Sequence, residues 1–200
     1  MAYSLVDFSR QFPNNDACLK YLFEQRFKSP TCPKCGRKGR TFFHKNKHLA
    51  AYTCNCGRFH IYPMKGTIFG GSKGPLEKWF LAMYLMANAK EGITSVDISR
   101  QVGVTYKTAW RMSSTIRKMI AAKSTEMVVV DDPIGMRRDI KDVHQHVSEE
   151  NLHLYLSEFQ YRSKFWKTGQ NLFFLLLSMA VGESSRDRKQ LIENGPKKSD

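Results

Sequence analysis

The chain has 200 residues, 42% hydrophobic and 25% charged, the composition of one folded domain or a few small modules and not of a disordered chain. Its longest apolar run, Leu172 to Leu177 with Met179 to Val181, is shorter than the roughly 20 residues of a bilayer span, and Met1 to Arg10 lack the charged-then-apolar order of a signal peptide. Membrane channels, collagens, coiled coils and disulfide-rich toxins are therefore excluded, and a cytoplasmic protein is expected.

The formal net charge is +14, and its excess sits in one stretch: +9 over residues 31–74, which hold no acidic residue, and +5 over 75–125. A solubility charge has no reason to be so localised. The concentration favours a polyanionic partner.

Residues 1–29 read as an N-terminal helical segment. Asn14-Asn15-Asp16 supplies cap chemistry after a proline break, and Cys18, Leu19, Leu22, Phe23 and Phe27 recur at helical spacings. Residues 30–69 hold Cys32-Pro-Lys-Cys35 and Cys54-Asn-Cys56, with glycine after each pair. Five cysteines in all is an odd number, which argues against a closed disulfide set. Two thiolates on a tight turn can face one ion, and two such turns make a tetrahedral site, so Cys32, Cys35, Cys54 and Cys56 are read as ligands of a structural Zn²⁺. The metal would supply folding energy that so short a segment cannot draw from its own core. A redox pair or reduced structural cysteines is the plainer alternative. The second pair is one residue tighter than the usual Cys-x₂-Cys. His44, His48 and His60 are expected outside the ligand set, as surface groups or phosphate contacts. Thr41 to Phe43, Leu49 to Thr53 and the alternation at Phe59 and Ile61 suit the short strands of a zinc ribbon, with Lys45-Asn46-Lys47 as a turn.

Gly70 to Pro75 is a linker. In residues 75–122, Leu76, Trp79, Phe80, Met83, Tyr84 and Ala87 keep one apolar helix face. Thr94 is a candidate N-cap with Asp97 in the capping-box position. Ile98 and Val102 face inward, and Gly103 ends that helix as a residue tolerant of positive φ. Thr105 caps the next helix, in which Ala109, Met112, Ile116 and Ile120 continue inward. Helix, glycine turn, basic helix is the pattern of a helix-turn-helix. Its DNA contacts would come from Thr105, Tyr106, Lys107, Thr108 and Arg111, with Arg111 able to read a guanine and Lys107 able to clamp a phosphate. Trp110 is expected in the core or between helices. A helical hairpin with surface lysines is the bland alternative.

The order of these pieces resembles the N-terminal half of zinc-ribbon insertion-sequence transposases of the ISXO-like group. The likeness runs from about Leu5 to Met119. It is carried by the segment around Asn14 to Phe27, the two cysteine pairs, Lys65-Gly66-Thr67-Ile68-Phe69, Pro75 to Met86, and Lys107-Thr108-Ala109-Trp110-Arg111-Met112. Such proteins bind the inverted repeats of their own element, and an RNase-H-like domain then cuts and joins DNA with three carboxylates and two metal ions. The resemblance implies double-stranded DNA at element ends as partner, a homodimer or a hetero-oligomer with intact transposase, and no membrane. It also implies a nucleoid-associated location.

By the same resemblance, Val128-Val129-Val130-Asp131-Asp132-Pro133-Ile134-Gly135 matches the strand that ends in the first catalytic acid, so Asp131 would be that carboxylate. Asp-Asp-Pro is also ordinary turn chemistry. From Arg137 onward the chain resembles the far end of the catalytic domain. The second aspartate and the catalytic glutamate have no counterpart, and residues 126–200 are too few for a complete RNase-H-like fold. Leu152, Tyr155, Leu156 and Phe159 would share one helix face. They and the Leu172 run are expected to dimerise, repack on other modules or aggregate.

The expected architecture is thus multi-module and mainly α, with a small β zinc ribbon, a helix-turn-helix and a truncated remnant of an RNase-H-like α/β domain. The leading functional expectation is a zinc-dependent DNA-binding protein that recognises insertion-sequence ends without strand transfer, as regulator, inhibitor or remnant. An active DDE-type transposase, which would need Mg²⁺, is one alternative. A zinc-ribbon interaction module with no DNA specificity is the other.

Overall fold

The computed structural model describes residues 3–72, 74–124, 144, 147–167 and 171–182. It is mainly helical, with one small three-stranded antiparallel sheet. The chain divides into two compact units: Val6–Glu77 with Ala180–Asp200, and Met1–Leu5 with Lys78–Met179.

In the first unit, α1 (Leu5–Gln11) and α2 (Asn15–Arg26) precede the sheet. Asn14 caps α2 as expected: its extended backbone turns the side chain to accept the Ala17 N–H at 3.0 Å, which satisfies a donor the helix start leaves orphaned. Phe8, Phe12, Cys18, Leu19, Leu22 and Phe23 are buried. A single 3-10 turn (Arg40–Phe42) leads into β1 (Phe43–Lys45), which pairs with β2 (Tyr52–Cys54), and β2 pairs with β3 (His60–Ile61). The register sets Phe43 opposite Cys54 and Thr53 opposite His60. The first two strands start two or three residues later than the apolar pattern indicates. The reason is the turn: Asn46 Oδ1 accepts the N–H groups of His48 and Leu49, and Asn46 N–H bonds Ala51 O at 2.9 Å. That side-chain turn draws Leu49 out of the strand, where it is exposed. Phe23 stacks on Tyr52 with centroids 3.9 Å apart and rings 5° from parallel, so α2 packs on the sheet through a stacked aromatic pair. Buried Arg26 donates to the carbonyls of Pro63 and Lys65, and ties the end of α2 to the segment after β3.

From Lys78 onward, α3 (Leu76–Asn88) belongs to the second unit, and the predicted face of this helix is buried, together with Ala82 and Met86. Then come α4 (Ser95–Val102), α5 (Tyr106–Ser124), α6 (Glu149–Lys167) and α7 (Leu172–Gly182). The apolar run in α7 is covered within the unit: Phe173 is fully buried and contacts the rings of Tyr3, Phe80 and Tyr84. The inward face of α6 is not the one its apolar spacing indicates. Leu154, Glu158, Tyr161 and Arg162 are buried, whereas Leu152, Tyr155, Leu156 and Phe159 are only half-buried. A paired set of charges takes the inner face instead. Among the described residues, no helix is long and apolar enough to cross a membrane.

Candidate metal centre and nucleic-acid surface

Two backbone turns build the sulfur site. After Cys35, Gly36 takes a φ of 71°, and its N–H bonds Cys32 O at 2.9 Å. After Cys56, Gly57 takes a φ of 72°, and its N–H bonds Cys54 O at 2.7 Å. Residues with a Cβ rarely adopt that conformation, so glycine is what lets each cysteine pair curl around a common centre. Cys32 and Cys54 are buried, and Cys35 is exposed.

All four sulfurs lie within 4.8 Å of one another. Across the two turns, Cys32 Sγ is 3.7 Å from Cys56 Sγ and Cys35 Sγ is 3.6 Å from Cys54 Sγ. A tetrahedral ion with Zn–S bonds of about 2.3 Å sets its sulfurs about 3.8 Å apart. The cysteines therefore fit a single tetrathiolate metal ion such as zinc, and the site is compatible with a zinc ribbon. The electrostatics agree. Burial works against a thiolate at Cys32, but the N–H groups of Lys34 and Cys35 and the thiols of Cys35 and Cys54 outweigh it, bringing the group down to about 7. At Cys54 the Cys56 N–H lowers the pKa, but burial and the thiols of Cys32, Cys56 and Cys35 push it up to about 12. Neighbouring thiolates repel, and a divalent cation between them removes the conflict.

The histidines stand outside this shell. His44 Nδ1 is 3.1 Å from Asn55 Oδ1, which holds the second turn, and His60 Nδ1 is 2.9 Å from Thr53 Oγ1. Cys18 is fully buried in α2, and burial together with the Glu77 charge pushes its thiol up to about 12, so it is inert packing.

The second candidate site lies at α4 and α5. Thr94 Oγ1 accepts the Asp97 N–H at 3.1 Å and donates to the Asp97 carboxylate at 2.6 Å. Gly103 takes φ 67° and ψ 50°, a left-handed close to α4. Lys78 Nζ donates to Val102 O at 2.6 Å, Ser99 Oγ to Val104 O at 2.6 Å, and the Ser95 and Ser113 hydroxyls meet at 3.0 Å, so the turn and the crossing of the two helices are both pinned. Ile98, Val102, Ala109, Met112, Ile116 and Ile120 are buried as their spacing predicts.

The outward face of α5 begins with Thr105, Tyr106, Lys107 and Arg111 exposed and Thr108 half-buried. Thr105 Oγ1 receives the Thr108 N–H only at a long 3.4 Å. Residues 106–124 contain no acidic side chain. Trp110 departs from expectation: it is 47% exposed, one turn beyond Tyr106 at 58%. The inward stripe of α5 is already filled by Ala109 and Met112, and the helical angle turns position 110 outward with 106.

Sequence reasoning missed a buried ionic network between α5 and α6. Arg117 Nε donates to Glu158 Oε2 at 2.5 Å, and Arg162 lies 3.8 Å from the other carboxylate oxygen. Arg162 donates to Ala89 O at 2.7 Å, Arg117 to Ile93 O at 3.4 Å, and the Arg117 guanidinium sits 4.0 Å over the Tyr155 ring. Burial alone would raise the Glu158 carboxyl, but Arg117 and Arg162 prevail and hold it below its ordinary value. The available signal was Arg117 falling one turn before the inward Ile120, on the same side of the helix.

Asp131 and most of the segment around it lie outside the described residues. The chain has no significant match among protein-family models, curated proteins or solved structures.

Proposed function

We propose that this protein is a transposase-like DNA-binding protein, built on a zinc ribbon and a helix-turn-helix, that recognises the ends of an insertion sequence and lacks strand-transfer activity. The observation that carries the reading is the α4–Gly103–α5 unit. The first helix is capped at both ends, the turn between the two is pinned, and the start of α5 offers Thr105, Tyr106, Lys107 and Arg111 to solvent on a helix free of acids. That is the surface a recognition helix needs: base-edge donors early in the helix and cations for flanking phosphates. The tetrathiolate site supports it as a structural metal centre within the most basic stretch of the chain.

Double-stranded DNA is the partner in this reading, with a second copy or an intact transposase as the oligomeric one, and the nucleoid as location. Of the three acids the resemblance calls for, the sequence supplies only Asp131, which is why binding without cutting and joining is proposed. Such a protein would occupy element ends and compete with an active enzyme.

A gel shift at moderate salt tests it, with DNA from the two ends of the element that carries the gene and shuffled DNA as competitor. A shift that survives the shuffled competitor is expected. Equal displacement by shuffled DNA would remove end recognition, and Mg²⁺-dependent nicking abolished by Asp131→Ala would restore catalysis.

A further inference from the structure

Beside the exposed face of α5 lies a cleft of about 260 Å³, within the second unit, between α5 and the start of α6. Trp110 and Tyr155 line it with aromatic surface, Ser114, Ser148 and Asn151 with hydrogen-bonding groups, and the buried Arg117 borders it. The volume is below the ~300–1,000 Å³ of pockets for drug-sized ligands, which suits one planar ring system. Resting on the DNA-binding reading above, we propose that this cleft receives a single unpaired nucleobase of the bound DNA, with Trp110 as its stacking wall.

Three observations favour this occupant. The aromatic stripe of Tyr106 and Trp110 runs directly beside a cationic stripe of exposed Lys107, Arg111 and Lys118. Cations that track a phosphate backbone beside aromatic faces that accept bases are the recurrent chemistry of unpaired nucleotides. Next, the walls are prefixed. The Arg117 guanidinium over the Tyr155 ring holds that ring, and the Glu158 carboxylate holds Arg117 from behind. Finally, the polar lining can read a base edge. Asn151 donates to Ser148 Oγ at 2.9 Å, one of the four bonds its amide can make. Aromatic walls with an amide and hydroxyls at the edge are how an extruded base is held.

An unpaired base costs less to extrude than a paired one. The wild-type chain should therefore bind an element-end duplex carrying one T·T mismatch, walked along the site, at least about fivefold tighter at its best position than the fully paired duplex, the low end for one base–aromatic stack. Both probes carry the same phosphates, so this ratio should not change with salt even as each affinity falls. Trp110→Ala should bind the paired duplex as the wild type does and lose the preference, and Trp110→Phe should keep most of it. Trp110 is exposed, and an unchanged circular dichroism melt checks that both variants fold.

Equal affinity of the wild type for paired and mismatched duplexes overturns the base cleft and leaves the DNA-binding reading standing. So does an equal loss for both duplexes in Trp110→Ala, which would make Trp110 an ordinary groove contact. Failure to bind any duplex overturns the DNA-binding reading itself.

Discussion

The two units solve the same problem by different means. The sheet-bearing unit has strands of two or three residues and brings four sulfurs together at its edge. A sheet this small buries too little to hold itself, and a metal ion can supply the difference. The α3–α7 unit has a large apolar core, yet buries two guanidiniums and a carboxylate between α5 and α6. There the ions add little net stability, since an apolar replacement of such a set is often neutral or better. What they do is fix how α6 sits on α5, because an arrangement that left any one charge unpaired would be heavily penalised. With a metal bound, the first unit would draw on its polar centre for being folded. The other depends on it for which arrangement it folds to.

The largest expected effect breaks the first half of this comparison. Structural zinc contributes an apparent ~10–16 kcal/mol in small zinc modules at neutral pH. Cys54→Ser should abolish bound zinc, measured by mass spectrometry under native conditions, and hydrogen exchange over residues 43–61 should lose its protection. Trp79, Trp110 and Trp166 all fall within Lys78–Met179, so tryptophan fluorescence should report the other unit separately. Full protection of 43–61 in Cys54→Ser would mean the sheet stands without its metal.

That same centre was legible from the sequence, and the ionic network was not, for a physical reason. A tight turn needs its ligands close in sequence and its glycine next to them, so Cys32-x-x-Cys35-Gly36 and Cys54-x-Cys56-Gly57 announce the geometry locally. The caps at Asn14 and Thr94, the turn at Gly103 and the inward stripe from Ala109 to Ile120 were legible on the same ground. Arg117 and Glu158 stand 41 residues apart, and nothing local marks them as partners. Counting only apolar residues on α6 selects Leu152, Tyr155, Leu156 and Phe159, because a buried carboxylate is invisible to hydropathy. Trp110 misleads in the opposite way. Its size suggests a core, and only its angle relative to Ala109 and Met112 turns it outward. Asp131 lies outside the described residues.

The next effect in size tests the ionic network. Glu158→Ala removes the only carboxylate the structure sets between the two arginines among the described residues, and leaves two buried cations facing each other. Breaking a buried set in this way costs roughly 3–5 kcal/mol. Urea unfolding followed by tryptophan fluorescence should show that loss, with zinc content unchanged. Replacing Arg117, Glu158 and Arg162 together by apolar residues of similar volume should recover most of the stability. A small loss in Glu158→Ala would mean that water already reaches the cluster.

The smallest effect sharpens the contrast through pH. Beside the network, burial and the Arg117 charge hold His144 down at about 4, with Glu158 pulling the other way and Arg162 adding a smaller lowering. Its ordinary value is 6.5, so on acidification the unfolded chain takes up this proton before the folded one does. By linkage, stability falls wherever the unfolded state binds more protons. The contribution of His144 is thus fully present above about 6.5 and is lost as the pH drops towards about 4. Glu158 acts in the same direction lower down: its carboxyl is held below the ordinary 4.5, so its contribution is lost only as the pH falls below that value. The urea midpoint read by tryptophan fluorescence should therefore decline from pH 6.5 to 4 and more steeply beneath. His144→Gln should flatten the upper part of the curve and leave the lower part in place. Acid would also protonate thiolates that hold a metal, but that loss would belong to the other unit and should register in metal release, not in tryptophan fluorescence. A wild-type midpoint that stays level from pH 6.5 to 4 would show that the folded chain protonates His144 as readily as the unfolded one, and that His144 is not held against the buried arginines.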